Sequence, residues 1–263
     1  MSGWASANPT EALQLLDNLP ESMAGSKAQI AEALIAGLAD TDTALATTIA
    51  LRLAGEETGR GDRMIQSIAS EVLRSGGPTE ASVWISSLPD GAMKGAAISR
   101  IAGTFVRDDP AAAAKWVEAF AASDFARDAV SEVGRQLGRQ DPLSAVNWLE
   151  TLPSGSGQAG GFRSVLGDWE DTDPRAASEY LAGMNPSPQR DAAVSGFARG
   201  YAWQDPKAAI QWAQDISDPS LRLQTLTRAG QAYFRRDPES ARAWLETSGL
   251  PADARQRVLN RQR

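Results

Sequence analysis

DPLSAVNWLETLP, residues 141–153, contains the pattern that decides the fold. The same Asp-Pro pair opens four further segments at intervals of 32 residues, beginning at Asp109, Asp173, Asp205 and Asp237. Three residues after each of these prolines there is an alanine, and six residues after it there is a tryptophan or a tyrosine. A pattern that recurs at a constant period indicates that the chain is built from copies of one structural unit.

Each copy opens with a predicted helix, which we call helix A. Aspartate is a preferred N-cap, and proline suits the first helical position because its missing N–H has no partner there in any case. Apolar residues then recur with the period of one helix face, as in Ala145, Trp148, Leu149 and Leu152. We expect helix A to end before the next proline, and the aromatic residue of each copy to lie in the core.

A second apolar series, as in Val194, Phe197 and Tyr201, follows in each copy and predicts a second helix, helix B. Such short helices cannot bury their apolar faces alone, so neighbouring hairpins are expected to stack. We therefore predict an all-α protein, an α/α superhelical solenoid of about eight two-helix repeats of about 32 residues that forms one domain over residues 1–263. The repeats are expected to start near residues 9, 43, 78, 110, 142, 174, 206 and 238.

The Asp-Pro-x-x-Ala-x-x-Trp opening resembles tetratricopeptide-type repeats, which also carry a proline at the hairpin junction and often an aromatic residue six positions later. The pattern is most similar to the Asp-Pro- and Trp-rich helical repeats of uncharacterised bacterial proteins of the Verrucomicrobia and Planctomycetes type. This resemblance implies a helical-hairpin fold. Tetratricopeptide-like solenoids generally bind other proteins, so the resemblance also implies a protein or peptide partner.

Composition excludes several classes of site. The chain has no cysteine and no histidine, which removes thiolate and imidazole nucleophiles, general bases and most zinc sites. Its net charge is -7, so nucleic acid is not the expected partner, and it lacks the apolar run of about 20 residues that a membrane span needs. We predict no catalytic residue, no metal site, no cofactor and no membrane insertion, and the compartment and oligomeric state stay open.

Two motifs suggest chemistry but have simpler interpretations. Residues 155–160, GSGQAG, match the glycine pattern of a dinucleotide-binding loop, which requires a preceding strand that is not predicted, so we expect a flexible loop. Four carboxylates gather at the end of one helix B, where we expect a solvated helix end with Asp173 as an N-cap. They are Asp168, Glu170, Asp171 and Asp173.

The polar stripe of helix A is the predicted binding surface, because it points away from the core and its mixed charge suits a peptide or an extended protein segment. Its residues are Lys115, Glu118, Asn147, Glu150, Arg175, Glu179, Lys207, Gln211, Gln214, Glu239 and Glu246. We add Trp203, which stands where other repeats carry a charged residue, as an exposed contact residue. The leading hypothesis is a non-catalytic scaffold or adaptor.

Two alternatives stay open. In one, the helices are an appendage of a larger carbohydrate- or envelope-active enzyme. In the other, an arginine row on helix B binds anions, because guanidinium groups favour carboxylates and phosphates. The row contains Arg100, Arg107, Arg135, Arg139, Arg199, Arg228 and Arg235, and Glu132 and Asp171 interrupt it.

Overall fold

The structure is a computed structural model that describes residues 27–54 and 60–260, together with the isolated residues Glu11, Gln14 and Asn18. Within these residues all regular elements are helices, which confirms the all-α prediction. The helix A predicted to start near residue 9 falls almost entirely outside the described residues. No described helix is long and apolar enough to cross a bilayer.

The chain divides into two compact units, residues 1–117 and 118–263. The described helices of the first unit are α1 (Lys27–Leu38), α2 (Thr43–Ala54), α3 (Arg60–Ser87), α4 (Ala92–Asp108) and α5 (Pro110–Val117). The core of this unit contains the fully buried side chains of Leu34, Ile35, Ile49, Ile65, Ile68, Ile85, Ile98 and Ile101. The expectation of one continuous domain stays a prediction.

The second unit opens with two 3-10 turns, Glu118–Phe120 and Asp124–Ala126. Its α-helices are α6 (Arg127–Gln140), α7 (Pro142–Thr151), α8 (Ser156–Thr172), α9 (Pro174–Gly183), α10 (Pro188–Tyr201), α11 (Pro206–Gln214), α12 (Pro219–Arg236), α13 (Pro238–Thr247) and α14 (Ala252–Leu259). The largest fully buried side chains among the described residues of this unit are Phe162, Phe197 and Leu149.

The Asp-Pro pairs begin helices as predicted. In α7, α9, α11 and α13 the proline is the first helical residue, and the preceding aspartate accepts hydrogen bonds from backbone N–H groups of the first turn. Asp109 accepts in the same way from the N–H of Ala112, at 2.9 Å. These caps satisfy donors that a helix start otherwise leaves without partners.

The predicted start near residue 78 lies inside α3, which is kinked. Gly77 has a φ of 67°, a left-handed conformation that glycine adopts without steric cost. The chain therefore changes direction there and continues as a new helical segment from Pro78, so α3 contains the end of one predicted repeat and the beginning of the next.

The alanine column packs as the pattern predicts. All six of these side chains are fully buried, and they are Ala81, Ala113, Ala145, Ala177, Ala209 and Ala241. A methyl group at this point of each helix A allows the neighbouring backbone to approach closely.

The aromatic column is less buried than predicted. Trp84 is buried, but Trp116, Trp148, Tyr180, Trp212 and Trp244 are only partly buried. Four of the six, including the buried Trp84, donate a hydrogen bond from their N–H or O–H group to a polar residue 30 to 37 positions earlier, which gives the polar end of each side chain a partner. The pairs are Trp84 with Thr47, Trp116 with Ser82, Trp148 with Glu118 and Tyr180 with Glu150.

In the second unit the predicted B helices pack directly on one another, α6 on α8, α8 on α10, α10 on α12 and α12 on α14. The closest approach is between α8 and α10. A Cβ atom on Gly196 of α10 would overlap the carbonyl group of Arg163 on α8, so the two backbones touch there.

A second repeated contact closes the end of helix A. In three repeats a donor near the start of helix B bonds the backbone carbonyl ten residues after the opening proline. The donors are Lys94, Gln158 and Arg222, and the acceptors are the carbonyl groups of Leu88, Leu152 and Ile216.

The glycine-rich segment 155–160 was predicted as a flexible loop, and this prediction is wrong. Residues 156–160 form the first turns of α8. Added Cβ atoms would overlap Ser131 at Gly160 and lie 3.3 Å from Val130 at Gly157, so these glycines allow α8 to pack closely on α6. No strand precedes the segment within the described residues.

Candidate functional site

The helix A stripe of the second unit contains a pocket centred on Tyr180, which we call the Tyr180 pocket. It has a volume of about 560 Å³ and lies at the ends of α7 and α9. Its lining residues are Glu150, Ser154, Gln158, Phe162, Glu179, Tyr180, Gly183, Met184, Asn185, Ser187 and Gln189. The structure thus brings together two residues of the predicted binding surface, Glu150 and Glu179.

Tyr180 and Glu150 are coupled. The Tyr180 hydroxyl donates a hydrogen bond of 2.8 Å to Oε1 of Glu150. Burial of the phenol, together with the adjacent Glu150 carboxylate, raises the pKa of Tyr180. The hydroxyl therefore stays protonated at neutral pH and holds the carboxylate in place at the wall of the pocket.

Gln158 supplies a polar atom that lacks a partner. Its side chain is buried, and Nε2 donates to the carbonyl oxygens of Leu149 at 2.8 Å and Leu152 at 3.1 Å. These two bonds fix the amide orientation, and its Oε1 atom is buried without a hydrogen bond. A buried acceptor left without a donor costs about 1–3 kcal/mol. Gln158 therefore favours a ligand that brings an N–H or O–H group.

The charge of the pocket is negative. Glu150 and Glu179 line it, and none of its lining residues is basic. Nε of Arg175 lies 2.9 Å from Oε1 of Glu179, but this pair is largely exposed and Arg175 does not line the pocket. Exposed pairs of this kind contribute little, about 0–1 kcal/mol, so a bound cation can displace Arg175 from Glu179.

The other predicted residues of the stripe do not line this pocket. Lys115, Asn147, Lys207, Gln211 and Gln214 are exposed on their helices. Glu118 is partly buried and accepts the Trp148 Nε1 hydrogen bond at 3.2 Å, so it has a structural partner. Their role in binding stays a prediction.

Trp203, predicted as an exposed contact residue, follows α10 and is 64 % exposed. The guanidinium carbon of Arg235 lies 4.5 Å from the centroid of its ring, a cation–π arrangement, and Arg236 donates to its backbone carbonyl at 3.0 Å. The exposure is confirmed, whereas the contact role stays a prediction because Trp203 lies outside the Tyr180 pocket.

The arginine row has neighbours of several kinds. Arg135 donates to Glu132 at 3.0 Å, Arg139 lies 3.5 Å from Asp168, and Arg100 donates to Ser70 at 2.7 Å. Such partners reduce the charge that the row can offer to a continuous polyanion.

The interpretation of the acidic cluster as a solvated helix end is wrong for Glu170. Its side chain is fully buried on α8, its Oε1 atom has no hydrogen bond, and a Cβ on Gly200 would overlap that carboxylate. Burial, followed by the neighbouring Asp171 carboxylate, raises the pKa of Glu170 to about 7. The equivalent residues of four other repeats are Val106, Gly138, Ala202 and Phe234, whereas the repeat before Pro78 has the exposed Arg74.

No family model, curated protein or solved structure matches this chain. Within the described residues there is also no group of three or more side chains that could hold a metal ion.

The sequence prediction missed Gln158, Tyr180 and Arg163. Tyr180 was assigned to the core because it occupies the aromatic column, and Gln158 fell in a segment interpreted as a loop. For Arg163 a signal was present. The same position in four other repeats holds a hydroxyl residue, Ser99, Ser131, Ser195 or Thr227, so the arginine is the exception.

Proposed function

We propose that this chain is a non-catalytic binding module that holds a peptide or an extended protein segment on the helix A stripe. In this proposal the hairpins form a tetratricopeptide-like repeat solenoid, and the Tyr180 pocket receives a lysine or arginine side chain of the partner. The observation that carries the proposal is the pocket itself, which combines two carboxylates with a buried, unpartnered amide oxygen and has no basic lining residue.

The chemistry of the three acceptors supports a cationic group. A guanidinium or ammonium group carries several N–H donors and no acceptor, so it can satisfy Gln158 Oε1 while it pairs with Glu150 and Glu179. Charge-assisted hydrogen bonds are about twice as strong as neutral ones. Phe162 and Met184, which also line the pocket, can cover the aliphatic stem of such a side chain.

Repeat architecture supports the extended partner. The recurring caps and the buried alanine column show that equivalent helices recur at 32-residue spacing in the second unit. Exposed polar side chains at equivalent positions of successive helices form a regular set of contact points, which suits a partner with a regular backbone of its own.

The test is a fluorescence-anisotropy screen of labelled extended decapeptides that carry one central Lys or Arg, with matched peptides that carry Gln or Glu. We expect the cationic peptides to bind and the Glu peptides not to bind. The double variant Glu150→Gln/Glu179→Gln is expected to weaken binding at least tenfold. Glu246→Gln is the matched control, because Glu246 holds the same position in its repeat as Glu150 but does not line the pocket.

Two results would overturn the proposal. One is that no cationic peptide binds better than its Gln counterpart. The other is that the double variant and the Glu246→Gln control weaken binding equally, since that would indicate a diffuse charge effect rather than a pocket.

A further inference from the structure

A second cleft lies beside α8 and shares one lining residue, Ser187, with the Tyr180 pocket. It has a volume of about 490 Å³, and we call it the Arg163 cleft. Its apolar walls are Ala159, Pro186, Pro188, Ala192 and Leu221. The charged side chain of Arg163 also lines it.

Arg163 has a buried donor without an acceptor. The guanidinium Nε atom is buried and makes no hydrogen bond. A buried N–H of a charged group is more costly to leave unpaired than a neutral one. An N–H group needs an acceptor as its partner. Lysine and arginine side chains carry no acceptor, so the missing partner of this atom must be a group of another kind.

Further arginines surround this position. Arg127 and Arg199 lie beside glycines of α8 on either side of Arg163. A Cβ on Gly160 would be 3.7 Å from Cγ of Arg127. A Cβ on Gly167 would be 3.5 Å from a terminal nitrogen of Arg199. Burial, followed by the charges of Arg199, Arg228 and Arg127, lowers the pKa of Arg163. Local positive charge is therefore concentrated on one face of α8.

The two acids that line the cleft, Asp191 and Asp218, have backbone hydrogen-bond partners, and neither is among the charged groups that act on the pKa of Arg163. Both carboxylate oxygens of Asp191 accept hydrogen bonds, from the backbone N–H groups of Ser217 at 2.9 Å and Asp218 at 2.8 Å. Asp218 in turn caps α12 by accepting from the N–H of Leu221. Neither acid forms an ion pair with Arg163 among the described residues.

We propose that the Arg163 cleft binds one oxyanion group, a carboxylate or a phosphate, attached to a small apolar moiety. The oxyanion would accept from Arg163 Nε and be attracted by the charge of the neighbouring Arg199, and the apolar moiety would contact Pro186, Pro188 and Leu221. This site adjoins the Tyr180 pocket at Ser187 and takes a ligand of opposite charge.

The experiment follows the arginine Nε–H resonances by two-dimensional NMR of the full chain during titrations with three probes. Inorganic phosphate and N-acetyl-leucine represent the two oxyanions, and N-acetyl-leucinamide is the matched probe without charge. We expect the Arg163 resonance to shift with one or both anions at saturable concentrations and not with the amide. The stronger of the two anions identifies whether the natural group is a phosphate or a carboxylate.

Variants locate the site. Arg163→Gln is expected to weaken anion binding by about 10- to 150-fold, the loss that corresponds to one charge-assisted hydrogen bond of 1.5–3 kcal/mol. Arg199→Gln, an exposed change that leaves the helix contacts in place, is expected to weaken it at least threefold. Arg139→Gln is the matched control on α6, because Arg139 is paired with Asp168, and we expect it to change the affinity less than twofold.

Three outcomes would overturn the inference. The first is that neither anion shifts the Arg163 resonance. The second is that Arg199→Gln and Arg139→Gln have equal effects on the affinity. The third is that every arginine resonance shifts together, with a steep dependence on salt. The last pattern would indicate a diffuse basic surface instead of a site. If Arg163→Gln fails to fold, Arg199→Gln and the NMR titration still decide.

Discussion

The Tyr180 pocket and the Arg163 cleft are lined by α8 residues that differ by one position in the sequence, and their unpartnered atoms are of opposite kinds, an acceptor and a donor. The Tyr180 pocket uses Gln158 and Phe162, an i, i+4 pair, and offers an unpartnered acceptor between two carboxylates. The Arg163 cleft uses Ala159 and Arg163, the next i, i+4 pair, and offers an unpartnered donor on which the charges of other arginines act. One helix can therefore present an unpartnered acceptor to one cleft and an unpartnered donor to the other, because a shift of one residue turns the side chain by about 100°.

Glu170 completes the comparison. Within the described residues, the buried side-chain atoms without a hydrogen bond belong to Gln158, Arg163 and Glu170, and all three residues lie on α8. Glu170 lines neither cleft, so a ligand is not expected to satisfy it. Its raised pKa indicates a different solution, since a proton removes the charge that burial disfavours.

The largest expected effect comes from Gly196→Val, which would break both clefts together. The added side chain must overlap the Arg163 carbonyl, and α8 and α10 supply walls to each cleft. We expect the free energy of unfolding to fall by about 3 kcal/mol or more, measured by urea denaturation. Gly103→Ala is the control, because its Cβ would enter open space in α4 and is expected to be neutral or to stabilise the helix. Equal stabilities of the two variants would contradict the close approach.

Glu170→Gln tests the buried carboxylate that lines neither cleft. The pKa of Glu170 rises from 4.5 to about 7 on folding, so its contribution to stability is present below pH 4.5 and is lost as the pH rises through 7. We expect the neutral glutamine to stabilise the chain by about 1–3 kcal/mol at pH 8 and to change little at pH 5. Thermal denaturation at the two pH values measures this. The exposed change Glu239→Gln should show no such difference, and equal pH profiles for Glu170→Gln and the natural chain would contradict the prediction.

The smallest effect compares the two unpartnered atoms directly, through Gln158→Met and Arg163→Met. Gln158 also donates to two backbone carbonyls, so its loss is expected to lower the unfolding free energy by about 1–2 kcal/mol. Arg163 has a desolvated charge with like charges nearby, so its replacement is expected to raise the unfolding free energy by up to about 1 kcal/mol. Urea denaturation of both variants gives the two signs. If the unfolding free energies of both variants change in the same direction, Gln158 does not stabilise the fold while Arg163 destabilises it, and the prediction is wrong.

The sequence pattern predicted the fold well where the deciding interactions are local. An Asp-Pro pair specifies a cap within one turn, and an alanine three residues later lies on the buried face by helix geometry alone. The site was predicted less well, because it depends on neighbours in other helices. Glu150 and Glu179 were assigned to one stripe, but their meeting around Tyr180 results from the packing of α7 against the helices that follow.

The buried charges were harder to predict for the same reason. Glu170 and Arg163 are charged residues at positions where most other repeats carry apolar or hydroxyl side chains, and single-helix periodicity interprets a charge as exposed. Comparison of the repeats with one another, column by column, would have marked both positions. It would not have shown which neighbours enclose them.

The aromatic hydrogen bonds have a consequence for how the chain reaches its structure. Each joins groups only 30 to 37 residues apart, so every such link closes a loop of about one repeat. Loops of this size close at modest entropic cost, and chains dominated by contacts at short sequence separation fold quickly. These four links can therefore form between neighbouring helices without prior contact between distant parts of the polypeptide.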